Sequence, residues 1–280
     1  MASLATARSF LFAPGSDERK LRRALESGAD AVIADLEDAV LPEAKDEARA
    51  VTAELLAGGR SDGARLVRVN AVGSAWLDAD LDWLAGLPVD GVVLPKADPE
   101  GAALLAATGL RVIAIVETAR GLRQAYETAA TPGVEALMLG AVDLGLELGL
   151  EPRPDAQELL LARSSLVVDS AAARIRAPID RVWVETRDLD GLAADCALAR
   201  SLGLRGKACV HPDQIAVVET AFAPSAGELG RARAIVEAFE RAQAEGRGAI
   251  ALDGEMIDLP VVERARRLLA DEKRSLLDVD

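Results

Sequence analysis

Arg111-Val-Ile-Ala-Ile-Val-Glu-Thr-Ala-Arg-Gly121 decides how the rest of the chain is read. Its run from Val112 to Val116 is apolar without alternation, the pattern of a strand covered on both faces, as in a parallel sheet. The strand then delivers a carboxylate, Glu117, at its C-terminal end. Ala136-Leu-Met-Leu-Gly-Ala-Val-Asp143 repeats the plan and delivers Asp143. Two carboxylates at the ends of neighbouring strands suit a hard divalent cation such as Mg²⁺. That ion takes one or two protein carboxylates and leaves its other positions to water and substrate oxygens. Singly, each acid also reads as a solvated loop residue; their pairing, and what ends the other strands, favours the metal.

Outward from this pair, further strands are expected at Ser9–Ala13, Ala31–Leu36, Arg65–Asn70, Gly91–Pro95, Arg181–Glu185 and Gly206–Val210. Ala/Leu/Arg/Glu-rich segments of helical period separate them, among them Glu18–Ser27, Glu43–Ala57, Ala156–Ala173 and Leu189–Leu202. Eightfold strand–helix alternation without a long Pro/Gly/Ser linker predicts an α/β fold, a (β/α)₈ TIM barrel, rather than an open dinucleotide-binding sheet. No GxGxxG follows the first strand, so that second fold lacks its fingerprint. The barrel is expected over 1–245. Residues 246–280 read as an extension, a hairpin around Asp253-Gly254 followed by a helix from about Pro260, whose apolar side a neighbouring subunit is expected to cover.

Composition narrows the function. Half of the 280 residues are hydrophobic but only 3% are aromatic, so the core must be aliphatic. A net charge of −14 argues against nucleic acid or an anionic membrane as the main partner. Cys196 and Cys209 form neither a disulfide framework nor a CxxC motif, which suits a reducing cytoplasm. The N-terminus is too short in its apolar part for a signal peptide, and no run approaches the ~18–20 apolar residues of a membrane helix.

In a barrel of this kind the active site is built at the C-terminal ends of the strands. Those ends read Pro14-Gly15, Asp35-Leu-Glu37-Asp38, Arg68, Asn70, Lys96, Glu117, Asp143, Glu185 and His211. Arg68 lies between two valines inside a strand, where an unpaired guanidinium is costly. Either a rim acid such as Glu117, or a carboxylate or enolate ligand, would offset that cost. Asp35, Glu37 and Asp38 read as an acid cluster ahead of a helix, or as catalytic-site acids supporting the metal's water ligands. Lys96 reads as a Schiff-base lysine, a salt-bridge partner or a phosphate contact of a CoA carrier; His211 reads as a general base or a structural histidine. One histidine without clustered cysteines excludes an ordinary zinc site, and no GxSxG supports a serine nucleophile.

Eight stretches, in order, carry a resemblance. They are Arg8-Ser-Phe-Leu-Phe-Ala-Pro-Gly15, Asp35-Leu-Glu-Asp-Ala-Val40, Arg68-Val-Asn70, Leu94-Pro-Lys96, Glu117-Thr-Ala-Arg-Gly121, Gly140-Ala-Val-Asp-Leu144, Gly206-Lys-Ala-Cys-Val-His-Pro-Asp-Gln-Ile215 and Met256-Ile-Asp258. Together they resemble the citrate lyase beta-subunit family, which includes malyl-CoA and citramalyl-CoA lyases. The resemblance implies a TIM barrel assembled as a homotrimer or hexamer, and Mg²⁺-dependent cleavage of a C–C bond next to an acyl-CoA thioester. It further implies Glu117 and Asp143 as metal ligands, Arg68 as the grip on the 2-oxo-acid half, and Pro14, Gly15 and Lys96 near the thioester carrier. Asp258 would supply an acid–base carboxylate from the adjacent subunit. Two departures bear on the substrate: Ala141-Val142 stands where a polar or acidic residue is common, and Arg120 adds a charge beside Glu117.

The expected reaction splits a 3-hydroxy-3-carboxy acyl-CoA of citramalyl-CoA or malyl-CoA type into a 2-oxo acid and an acyl-CoA. Three other readings stay open: a malyl-CoA-type thioesterase, a metal-dependent pyruvate aldolase, and a non-catalytic acyl-CoA-binding subunit of a larger complex.

Overall fold

The computed structural model describes residues 4–58 and 63–277, the side chains of 273–277 excepted. The chain divides into two compact units, Met1–Phe222 and Ala223–Asp280. The first unit runs β1 (Ser9–Pro14), α1 (Glu18–Leu25), β2 (Ala31–Asp35), α2 (Lys45–Gly58), β3 (Ala64–Arg68), α3 (Leu77–Leu84), β4 (Gly91–Leu94) and α4 (Pro99–Ala106). It continues with β5 (Arg111–Val116), α5 (Ala119–Arg123), α6 (Ala125–Ala129), β6 (Val134–Leu139), α7 (Ala141–Leu148), α8 (Leu160–Ala173), α9 (Leu189–Leu202), β7 (Lys207–Cys209) and α10 (Ile215–Phe222).

The seven strands form one parallel sheet in the order β6-β5-β4-β3-β2-β1-β7. Its two edge strands are tied through a short segment, with parallel bridges Met138↔Ile179 and Asp180↔Lys207. This is an α/β fold with a curled parallel sheet, consistent with a TIM-barrel-like architecture. Alternation along each strand divides the core in two. One face packs Phe10, Ile33, Leu66, Val93, Ile113, Ile115, Met138, Ile179 and Ala208 against one another. The other face buries Leu11, Val32, Val67, Val92, Val112 and Leu137 with helix residues such as Leu21, Leu56, Leu105 and Leu166. The strands are therefore covered on both sides, as their unalternating sequences require.

The strand expected at Arg181–Glu185, the seventh in chain order, does not form. Backbone bridging occurs two residues earlier, at Ile179 and Asp180, and residues 181–185 lack regular structure. The reason is a set of competing hydrogen bonds. Asp180 is gripped by Arg163 Nε and Nη2, at 2.9 and 2.8 Å, and by Lys207 Nζ at 2.6 Å. Beyond it, the Trp183 carbonyl accepts from Gln214 Nε2 (2.8 Å) and the Trp183 indole donates to the Asp188 carbonyl (3.0 Å). Of the groups a strand would offer, the Trp183 carbonyl is thus taken by a side chain, and the Val184 and Glu185 carbonyls by the turn N–H groups of Thr186 and Asp188.

The second unit comprises α11 (Ala226–Ala244), a hairpin of β8 (Ile250–Leu252) and β9 (Glu255–Ile257), and α12 (Leu259–Leu277). Asp253 and Gly254 turn the hairpin with φ of 52° and 82°, the two positive values that a tight two-residue turn needs. Ala232, Ile235 and Phe239 of α11 pack on Ile257, Val262 and Ala265. Helix α11, placed within the barrel by the sequence reading, therefore shares its core with the hairpin and α12. Among the described residues no helix is long and apolar enough to cross a membrane.

Candidate active site

The row of residues that packs Ile33, Leu66 and Ile115 together continues, two positions on, as Asp35, Arg68 and Glu117. Period-2 alternation turns these three inward at the C-terminal ends of β2, β3 and β5. Register then pairs them: Asp35 and Arg68 are direct partners across β2 and β3. Arg68 donates from Nε to Asp35 Oδ1 (2.7 Å) and from Nη2 to Asp35 Oδ2 (2.6 Å), a planar fork on a carboxylate. Its Nη1 lies 2.9 Å from Glu37 Oε2, and its guanidinium lies over the Phe12 ring, 5.3 Å from the centroid. The expected rim-acid partner, Glu117, is thus replaced by Asp35 and Glu37.

Lys96 does not behave as a free cation. Its Nζ donates to Glu37 Oε1 at 2.5 Å, and its backbone N–H donates to Glu117 Oε1 at 2.7 Å. Glu117 is 4% exposed and its second oxygen, Oε2, has no donor among the described residues. Gly140 makes room for it, because a Cβ there would fall 2.4 Å from Glu117 Cβ and 2.6 Å from Oε2. Asp143, in the first turn of α7, has no hydrogen-bond or ion-pair partner among the described residues.

A cavity of about 460 Å³ opens over this rim. Phe12, Pro14, Asp35, Asp38, Arg68, Glu117 and Asp143 line it, with Lys20 from α1 and an apolar wall of Ile115, Met138, Val182, Ala208 and Val210. The apolar wall and Lys20 were missed in the sequence, although the inward alternation of β1, β5, β6 and β7 carries the signal for most of the wall. A broader depression over α1, lined by Asp17, Glu18 and three arginines, gathers no inward carboxylate pair.

Charge follows burial and pairing. Burial raises the Glu117 pKa to about 7, with help from the Glu37 charge and against the pull of the Lys96 amide and ammonium and of Arg68. Burial likewise raises Glu37, opposed by Arg68 and Lys96. For Arg68, burial works against the charge, but the hydrogen bonds and charge of Asp35, joined by Glu37 and Glu117, outweigh it and raise the pKa.

Several expected site residues fall elsewhere. Gly15 is buried against Thr52 and Leu36 rather than on the cavity wall, and its N–H bonds the Asp35 carbonyl at 2.8 Å. The Lys96 side chain belongs to Glu37 and is not part of the wall. Asn70 donates from its backbone and side chain to Asp80 Oδ2 (2.8 and 2.7 Å), a structural use. His211 caps the short helix after β7, accepting from the Asp213 N–H at 3.2 Å, and is not part of the wall; Glu185 lies exposed in the irregular segment. Arg120 is exposed and bonds Gln124 at 3.1 Å. Asp258, in the second unit, accepts from the Val261 N–H at 3.4 Å ahead of α12 and is half-buried.

The donor set fits Mg²⁺. Among the described residues no group of three or more His, Cys, Asp or Glu side chains is placed to hold an ion. Glu117 and Asp143 offer carboxylate oxygens free of protein donors, and such a pair leaves most of the shell to water or substrate, as Mg²⁺ prefers.

Known proteins match the chain over most of its length. A family model for HpcH/HpaI aldolase/citrate lyase matches residues 8–212, and the chain belongs to that family. It is 37% identical over 270 residues to a (3S)-malyl-CoA thioesterase of Cereibacter sphaeroides, covering 94% of this chain and 93% of that one. It is 34% identical over 283 residues to the citrate lyase subunit beta of Escherichia coli, covering 95% and 93%. Among solved structures, CitE of Mycobacterium tuberculosis in complex with magnesium, acetoacetate and coenzyme A superposes with a TM-score of 0.83 at 34% identity, covering 96% of this chain and 99% of that one.

Proposed function

We propose that this protein is a Mg²⁺-dependent carbon–carbon lyase that cleaves a 3-hydroxy-3-carboxy acyl-CoA, of citramalyl-CoA or malyl-CoA type, into a 2-oxo acid and an acyl-CoA, on a complete TIM barrel closed through Ile179 and Asp180. The observation that carries the reading is the convergence of Arg68 with two carboxylates that retain free oxygens, Glu117 and Asp143, on one cavity. When bound there, Mg²⁺ supplies a Lewis acid and a template for the hydroxyl oxygen and carboxylate of the 2-oxo-acid half.

The protein's residues supply the rest. Asp35 and Glu37 hold the guanidinium of Arg68 in one plane at the cavity. N–H groups on both Nη remain beyond the two bonds to Asp35, and these hold the hydroxyl oxygen of the 2-oxo-acid half, which bears charge once its proton has left and before the C–C bond breaks. The electron pair of that bond passes to the thioester α-carbon, giving an enolate. The hydroxyl proton leaves to solvent, and a protonated Asp258 of a neighbouring copy delivers one to that carbon and then regains its own from solvent, so one proton is lost and one gained. The apolar wall of Ile115, Met138 and Val182 keeps water from the carbanionic carbon. The protein works as a homotrimer or hexamer in the cytoplasm.

A second reading, hydrolysis of the malyl-CoA thioester, is favoured by the thioesterase relatives. Subunit complementation tests the whole scheme. Glu117→Ala and Asp258→Asn copies, each inactive alone, are mixed under conditions of subunit exchange. Recovery of part of the Mg²⁺-dependent release of 2-oxo acid supports an Asp258 acting in trans. Activity retained by Asp258→Asn alone would remove Asp258 from the mechanism.

A further inference from the structure

Lys96 combines three features that its expected role as a substrate cation leaves unexplained. First, its φ is 48°, in the left-handed region that side-chain-bearing residues rarely adopt. Second, that conformation comes two residues past the end of β4, after Pro95, and turns two successive N–H groups toward the end of β5: Lys96 N–H to Glu117 Oε1 at 2.7 Å and Ala97 N–H to the Ile115 carbonyl at 2.9 Å. Third, its ammonium reaches back to Glu37 Oε1 at 2.5 Å, and Glu37 is itself held 2.9 Å from Arg68. A residue outside the local rule for its position, held there by a buried acid, marks strain retained for a purpose.

The purpose is visible in what Glu117 lacks elsewhere. Its Oε1 accepts the Lys96 N–H, and its Cβ rests against the bare Cα of Gly140, where any Cβ would clash. Those two contacts fix the carboxylate and leave Oε2 free. A line of contacts then runs Asp35–Arg68–Glu37–Lys96–Glu117, joining the anion-binding end of the cavity to its metal-binding end.

We propose that Lys96 is a positioning residue for the divalent ion. Its left-handed backbone aims the amide at Glu117 Oε1, and its ammonium, anchored on Glu37, holds that backbone in place. This rests on the reading of Glu117 as a Mg²⁺ ligand. The ammonium acts through the main chain and touches neither substrate nor ion.

Glycine separates the two contributions, because it adopts positive φ without the hold of an ammonium and keeps the N–H. Mn²⁺ binding to the full chain, followed by the loss of the free-ion signal in electron paramagnetic resonance, reads metal affinity without turnover. Lys96→Met weakens Mn²⁺ about 10-fold, in the range found when a partner that orients a metal ligand is lost. Lys96→Gly returns to within about 3-fold of wild type. Should Lys96→Met fail to fold, Lys96→Gln makes the same comparison. Unchanged affinity in Lys96→Met, or equal weakening in the Met and Gly variants, overturns the proposal. Glu117→Gln is the control for the underlying reading. Wild-type affinity in Glu117→Gln overturns the metal assignment and the role of Lys96 with it, whereas its loss beside an unaffected Lys96→Met overturns the role of Lys96 alone.

Discussion

Two clusters of opposite charge are built into this fold, and they differ in what their acids are left holding. Beneath α8 and α9, Arg163 and Lys207 are wholly buried with Asp180 and Asp195. Every oxygen of the two aspartates is taken: Arg163 and Lys207 share Asp180, and Arg163, Lys207 and Arg181 share Asp195, at 2.6 to 3.2 Å. At the rim, Asp35 is likewise matched by Arg68, but Glu117 and Asp143 keep oxygens without donors and open onto a cavity. Burial raises the pKa of a carboxylate in both places. For Asp195 the charges of Lys207, Arg163 and Arg181 overcome it and hold the acid well below the usual range; for Glu117 they do not, and its pKa stands at about 7. Density of charge is therefore no mark of a site. Unmatched carboxylate oxygen beside a cavity is.

The contrast breaks most sharply under substitution. Asp195→Ala strands Arg163 and Lys207 in the interior, and breaking a buried pair from one side costs about 3–5 kcal/mol. Denaturant unfolding reads that loss, while kcat per folded molecule stays close to wild type. Glu117→Gln does the reverse. It removes about 100-fold or more of kcat/KM, roughly 2.7 kcal/mol of transition-state stabilisation, with little change in the unfolding midpoint. Arg68→Lys keeps the charge but loses the fork on Asp35, and kcat/KM falls about 10- to 100-fold.

The unmatched acids also predict a pH dependence. The Glu117 pKa rises from 4.5 in the unfolded chain to about 7 in the folded one, so the folded state holds the extra proton between those values. Metal-free protein then loses stability as pH rises through that window, and Glu219, raised to about 7 by burial and the charge of Asp30, adds to the slope. On the proposed role of Glu117, Mg²⁺ would displace its proton, so Mg²⁺ affinity, measured by calorimetry, rises toward pH 7 and levels above it. The smallest effect is expected at Arg120→Ala. This exposed side chain, 3.9 Å from Glu100, contributes less than about 1 kcal/mol, and loss of activity there would place it in the site after all.

Strand ends were legible because two physical signals coincide at them: an unalternating apolar run and an abrupt polar stop. That was enough to place Asp35, Arg68, Glu117 and Asp143 together on one rim. Pairing was not legible, because it depends on register; only the direct apposition of Asp35 and Arg68 across β2 and β3 selects Asp35 over Glu117 as the partner of Arg68. Arg181-Val-Trp-Val-Glu185 alternates like a strand, yet its Trp183 carbonyl accepts from Gln214, its Val184 and Glu185 carbonyls accept from Thr186 and Asp188, and the Arg163–Asp180–Lys207 network holds the residue just before it. Arg163 and Lys207 come from α8 and β7 and Gln214 from the short helix after β7, and hydrophobic periodicity carries no record of a group matched by a distant one. A salt bridge was among the readings of Lys96, but the same blindness hid Glu37 as its partner. The family resemblance supplied the chemistry that spacing alone left open, between metal site and loop acids.

The central claim is that this cavity breaks a carbon–carbon bond. Purified protein incubated with Mg²⁺ and malyl-CoA or citramalyl-CoA, with 2-oxo acid and free thiol followed in the same sample, tests it most directly. The account predicts Mg²⁺-dependent appearance of glyoxylate or pyruvate in step with an acyl-CoA, with no thiol released. Thiol release with no 2-oxo acid would contradict it and make the protein a thioesterase.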